Sequence, residues 1–215
     1  MEAKSLPLKA GWQWFFEGWN LLKNNYIKFL IGTAFWLATE LGVAFIPVAG
    51  PYIDGFLFPL FYAGFLSFTH EINNDKSASI KHFITPALNP SLLVQFSLLG
   101  LVIVVFEVVS VTIATSMSAA IILPLAVVMV SALIFSVPLI LFNEIKFQDA
   151  LISSVQCCGK NFAVIVIMYF ILMALMIISA VTYGIALIAI IPLTFCALYT
   201  GYCQSYRHLL KGEQD

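Results

Sequence analysis

The sequence predicts an all-α protein: a polytopic membrane bundle of six transmembrane helices in three hairpins, each hairpin preceded by a short in-plane amphipathic helix. Three observations predict it. Of the 215 residues, 61% are hydrophobic and 10% charged, against about 25% charged in soluble domains, and the mean hydropathy is +0.99. Most of such a surface cannot face water. The apolar residues fall into runs of about 20, the length that crosses a bilayer. The basic residues, finally, collect at alternate ends of those runs.

The chain opens on "MEAKSLPLKAG", which no signal-peptide core and cleavage site follow, so the N-terminus is expected to be retained. "GWQWFFEGWNLLKNN" (11–25) sets Trp12, Phe15, Phe16, Trp19 and Leu22 at helical spacing, with Gln13, Glu17, Asn20 and Asn24 largely on the other side. Too polar to span, it is expected to lie in the headgroup region, anchored by Trp12, Phe15, Phe16 and Trp19. Spans follow near 26–46 and 52–69, divided by "IPVAGPYID". There Pro47, Gly50 and Pro51 make a tight turn, and Pro51 suits the first position of a helix.

Residues 70–90 form the one substantial polar loop and end in a weaker amphipathic stretch, "SASIKHFITPALNP" (77–90). Spans near 91–114 and 119–142 meet around "TSMSA". "FQDALISSVQCCGKN" (147–161) is the third amphipathic stretch, and spans near 162–181 and 184–206 meet at "TYG".

Topology follows from the positive charges. Lys4, Lys9, Lys23, Lys28, Lys76, Lys81, Lys146, Lys160, Arg207 and Lys211 all fall on one side of a six-span chain, and none is in the three short turns. Both termini are therefore expected in the cytosol, in a single integral membrane domain over 1–215.

The elements also rhyme. "LKNNYIKFLI" (22–31) resembles "CGKNFAVIVI" (158–167), and the second helix of each pair carries a Pro-Leu step: "PLFY" (59–62), "PLIL" (138–141) and "PLTF" (192–195). Candidate repeat units are 10–70, 77–143 and 147–207. Apolar helices resemble one another in any case, so the alternative of no repeat stays open.

"AGWQWFFEGWNLLKNNYIKFLI" followed by "IPVAGPYIDGFLFPLFYAGF" resembles the start of the YciC-like bacterial inner-membrane proteins. It is similar too to the membrane domain found beside some glycerophosphodiester phosphodiesterases. The resemblance is densest in residues 10–70. It implies a six-span, multi-pass protein of the bacterial inner (cytoplasmic) membrane, and it carries no catalytic motif.

Three acids lie within spans or on the far side: Glu40, Asp54 and Glu107. Glu40 precedes Pro47, and Glu107 precedes Thr115, by distances that put both roughly 10–13 Å inside the outer helix ends at 1.5 Å per residue. No cation is predicted on that side. An ionised carboxylate there costs about 2.5–3.5 kcal/mol on insertion scales. Each Glu is therefore expected to be a neutral acid bonded to a neighbour such as Thr39 or Ser110, to share a proton or a cation, or to meet a partner or ligand. Asp54 is expected to act at the N-terminus of its helix, where an anion is favoured.

Other signals are weak. His70, His82 and His208 flank membrane ends, where solvated side chains are the default. Cys157, Cys158, Cys196 and Cys203 lack metal-ligand spacing, and reduced thiols are expected. Pro59, Pro124, Pro138 and Pro192 sit inside spans, where they either serve packing or hinge helices around a cavity.

No metal or cofactor is expected, and no pattern for nucleophilic, paired acid–base or phosphate-loop chemistry is present. The functional expectation is a non-enzymatic accessory or scaffold protein organising lipids or a membrane complex. The alternative is a small proton- or cation-linked transporter or channel using Glu40 and Glu107. Expected partners are membrane lipids, another membrane protein complex or a second copy of the chain; the net charge of −1 gives no reason to expect nucleic acid.

Overall fold

The computed structural model describes residues 3–74, 79, 81–116 and 122–206. These form nine helices: α1 (Ala10–Asn24), α2 (Tyr26–Ala44), α3 (Gly50–Asn73), α4 (Lys81–Leu88), α5 (Pro90–Ser116), α6 (Ile122–Asn143), α7 (Phe147–Lys160), α8 (Phe162–Val181) and α9 (Leu187–Tyr206). Six of them, α2, α3, α5, α6, α8 and α9, are long and apolar enough to cross a membrane. The other three are the short helices that precede each pair. Most of the turn expected at "TSMSA" lies outside the described residues, as do Arg207, His208 and Lys211.

The α2–α3 turn differs from expectation in which residue bends it. Val48, not Gly50, takes the left-handed conformation, with φ 64°. Gly50 starts α3, and a Cβ there would meet the Val43 carbonyl oxygen at 2.5 Å. The glycine is needed for close approach rather than for its dihedral freedom. Pro51 sits in the first turn of α3, where its missing N–H is harmless. In the α8–α9 turn, Tyr183 and Gly184 both have positive φ.

Across the α2–α3 pair, Phe29 meets Phe68 and Trp36 stacks on Phe61, so the two helices run antiparallel. The second helices of the pairs, α3, α6 and α9, run parallel to one another and form the centre. Tyr62 reaches Ile134 and His70 meets Phe142 between α3 and α6. Tyr62 packs on Phe195, and His70 on Tyr199, between α3 and α9. The first helices, α2, α5 and α8, are the more exposed ones.

Burial is uneven along the bundle. Its largest buried side chains, among them Trp14, Tyr62, Phe65, Phe68, Phe96, Phe135, Tyr202 and Tyr206, lie toward the end where the described lysines collect. Near the opposite end, large apolar side chains such as Phe45, Val109, Met176 and Val181 are exposed. In a membrane they would face lipid.

Prolines inside the central helices explain part of the packing. Pro138 cannot donate to the carbonyl four residues back, Ile134, and the Tyr62 hydroxyl of α3 donates to that oxygen at 2.7 Å instead. Next to this break, Ser154 of α7 enters the backbone ladder of α6. Its hydroxyl donates to Ser131 O at 2.7 Å and accepts from Phe135 N–H at 3.0 Å. A side chain inserted in this way is a recognised cause of helix bending, and here it also fastens α7 to α6. Ser154→Ala should strand the Phe135 N–H and leave Ser131 O with only the weaker Cys158 thiol, 3.4 Å away, and cost about 1–3 kcal/mol. Thermal unfolding in detergent would test it, and an unchanged midpoint would mean that the ladder closes without the hydroxyl.

Each short helix packs most extensively on the second helix of the pair before it: α4 on α3, α7 on α6, and α1 on α9. The last contact joins the two ends of the chain. Small residues permit it, since a Cβ at Gly18 would meet Ala197 N at 2.7 Å and one at Gly201 would meet the Trp14 ring at 3.0 Å. The segment before α1 ties the same ends together. Lys4 N–H donates to Ser205 O at 3.0 Å, Leu6 N–H donates to Asn161 Oδ1 at 2.8 Å, and the Asn161 amide donates to Lys4 O at 3.1 Å.

Candidate functional site

The three acids of the turn end come from three helices. Glu40 lies one turn before the end of α2, Asp54 in the second turn of α3, and Glu107 about two-thirds of the way along α5. The antiparallel α2–α3 pair sets Glu40 beside Asp54. Glu40 also accepts a hydrogen bond from Trp36 Nε1, one turn earlier on α2.

Glu107 reaches the same place because α3 has a glycine there. An ideal Cβ at Gly55 would lie 2.7 Å from Glu107 Oε1 and 2.9 Å from its Cδ. The carboxyl therefore rests on bare backbone, with Asp54 nearby. Its Oε2 is buried without a hydrogen-bond partner. Asp54 thus stands between the two glutamates.

This corrects the expected roles of several residues. Asp54 is not in the first turn of its helix and caps nothing. Thr39 donates to Phe35 O rather than to Glu40. Ser110 Oγ is buried without a partner, so it does not serve Glu107. Among the described residues no three His, Cys, Asp or Glu side chains are placed to hold one metal ion. The arrangement can hold a proton between carboxyls or attract a monovalent cation.

Directly beneath the acids lies an aromatic layer. Trp36 contacts Phe58, Phe61, Phe65 and Phe195, with ring centroids 5.2–6.3 Å apart. The indole has one polar atom and sits among hydrocarbon, so its N–H needs an acceptor. Glu40 supplies that acceptor. One role of this glutamate is accordingly to satisfy Trp36.

The α1 residues divide. Trp12, Phe16 and Trp19 are 65%, 61% and 48% exposed, whereas Phe15 turns inward and is buried. Trp14, which the pattern did not single out, is fully buried, meets Phe135 edge-on at 6.2 Å and donates to Gln204 Oε1 at 3.0 Å.

A second polar group, at the lysine-bearing end, was not foreseen. His70 Nδ1 hydrogen-bonds the Tyr199 hydroxyl at 2.9 Å, the Asn74 amide lies 3.0 Å from Nε2, and Tyr202 donates to Asn143 Oδ1 at 2.6 Å. His70 is therefore not a simply solvated side chain. The four cysteines are free thiols. Burial raises the Cys157 and Cys158 thiols on α7, Cys158 to about 12 with its neighbour Cys157 adding to the effect, so neither supplies thiolate near neutral pH.

Compared with family models, curated proteins and solved structures, the chain matches none.

Proposed function

We propose that this chain is a non-enzymatic scaffold or accessory protein of the bacterial inner membrane, organising lipids or a membrane complex, with both termini cytosolic. The observation that carries the reading is the closure of α1 on α9. With α4 on α3 and α7 on α6, that closure is what three repeat units, each a short helix plus a hairpin, linked head to tail into a ring would give. A carrier that alternates its access rocks one repeat against another. Units joined at both ends, with aromatic residues packed between them, favour one arrangement instead. The likeness of residues 10–70 to the YciC-like group supports the location.

Purification of the intact chain from native membranes should yield a membrane protein or a lipid class at fixed stoichiometry, read by native mass spectrometry. The reading fails if the purified chain instead moves protons or cations across liposomes. Topology has its own test. Cysteine at Ser5 or Asn74, both exposed, should react with an impermeant maleimide from the cytosolic side only. Cysteine at Ala49, exposed in the α2–α3 turn, should react only from outside. Labelling of position 74 from outside would sink the six-span arrangement.

A second reading, a proton- or cation-linked transporter or channel, is favoured by one observation: Glu40 and Glu107 both neighbour Asp54. The reconstitution just described separates the two.

A further inference from the structure

Helix α1 has three faces. Its buried face comprises Ala10, Gly11, Trp14, Phe15, Gly18 and Leu22. Successive residues of a helix turn by about 100°, and on that projection Gln13, Glu17, Asn20 and Asn24 make a polar strip. The third face is an exposed stripe of Trp12, Phe16 and Trp19, and Lys9 and Lys23 lie on the same line at its two ends. Lys9 precedes the helix but keeps helical dihedrals, φ −62° and ψ −17°, so the projection extends to it. The two lysines are about 21 Å apart along the axis at 1.5 Å per residue.

We propose that this stripe docks on the anionic phospholipid headgroups of the cytosolic leaflet, with Lys9 and Lys23 on phosphates and the three rings between them at headgroup depth. The inference rests on reading the chain as a membrane protein with α1 at its cytosolic face, and it names the lipid class that the scaffold holds. Two observations choose lipid over a protein partner. The stripe is followed directly in the chain by Tyr26, Ile27 and Ile31 of α2, which are exposed on a helix apolar enough to span. Its charge is of one sign, because the one acid of α1, Glu17, lies on the polar strip and accepts from the Gln204 amide at 3.2 Å. Two lysines with no acid between them favour an anionic headgroup over a zwitterionic one. Neither of the other short helices repeats the pattern, since α4 exposes Ile84 and Leu88 and α7 exposes Ile152 and Val155, aliphatic side chains without a ring.

The test uses the full chain in nanodiscs of phosphatidylcholine with and without phosphatidylglycerol. Fluorescence of the wild type minus that of W12F/W19F isolates the two exposed tryptophans from Trp14 and Trp36. That difference should be quenched more by lipids brominated near the headgroup than by lipids brominated deep in the acyl chains. Native mass spectrometry should show phosphatidylglycerol retained over phosphatidylcholine, with retention falling about fivefold per lysine removed in K9Q/K23Q, as expected from ~1 kcal/mol for each basic residue near an anionic surface. Near-UV dichroism from the buried rings should be unchanged in both variants, because every substituted residue is exposed. Equal retention of the two lipids, or unchanged retention by K9Q/K23Q, would overturn the proposal. So would absent quenching, or quenching strongest from the deep position. Failure of the scaffold reading would appear separately, as ion flux in liposomes, and would leave these readouts as they are.

Discussion

Trp14→Ala should lower stability by about 3–5 kcal/mol, the range for deleting a fully buried aromatic side chain, whereas Trp12→Ala should change it by no more than ~0.5 kcal/mol. Two tryptophans two residues apart on one short helix thus have opposite expected effects. Trp14 fills the space between α1, α6 and α9, where it meets Phe135 edge-on and covers the place a side chain at Gly201 would take. Its removal leaves a cavity and takes a donor from Gln204. Because α1 on α9 is the contact that joins the two ends of the chain, the loss should spread: Lys4 and Leu6, which reach Ser205 and Asn161 across the same seam, should exchange their amide hydrogens faster. Thermal unfolding in detergent and hydrogen exchange would measure both effects. Equal losses for the two variants would mean that α1 is not part of the core.

The contrast also shows where the sequence stops being legible. The spans could be read because bilayer crossing is a one-dimensional requirement: enough consecutive apolar residues, with lysines excluded. Glu40 and Glu107 stood out for the same reason, as acids within apolar runs. The faces of α1 could not be read that way. A soluble amphipathic helix has one apolar face, but α1 has two, one packed on α9 and one exposed, and a two-faced projection merges them. In the sequence pattern Phe15 therefore falls with Trp12, and Trp14 does not stand out. Counting from the turn fixes the depth of Asp54 along one helix, while its place beside Glu40 depends on how α2 and α3 are paired. Ser154 gave no signal at all, since only Pro138 on another helix makes its hydroxyl useful.

The acids of the turn end should respond unequally to removal. Glu40→Leu should cost about 1–3 kcal/mol, because it leaves the Trp36 N–H without its acceptor. Glu40→Gln, which keeps a carbonyl for Trp36, should recover most of that loss. Glu107→Leu should be close to neutral or stabilising. Its Oε2 already lacks a partner, so replacement removes no hydrogen bond at that oxygen, and exchanging a buried polar atom without a partner for an apolar one of similar size costs little. Glu107 is then the acid whose presence the fold explains least. A residue kept against stability is where function is to be sought, so Glu107→Leu and Glu107→Gln are the variants that divide the two functional readings. If the chain is a scaffold, both should retain the co-purifying partner or lipid at wild-type stoichiometry. If the acids carry ions, both should keep the thermal midpoint and reduce liposome flux to background. A loss of stability on Glu107→Leu as large as that of Glu40→Leu would refute the argument, because it would show that Glu107 holds a structural partner of its own.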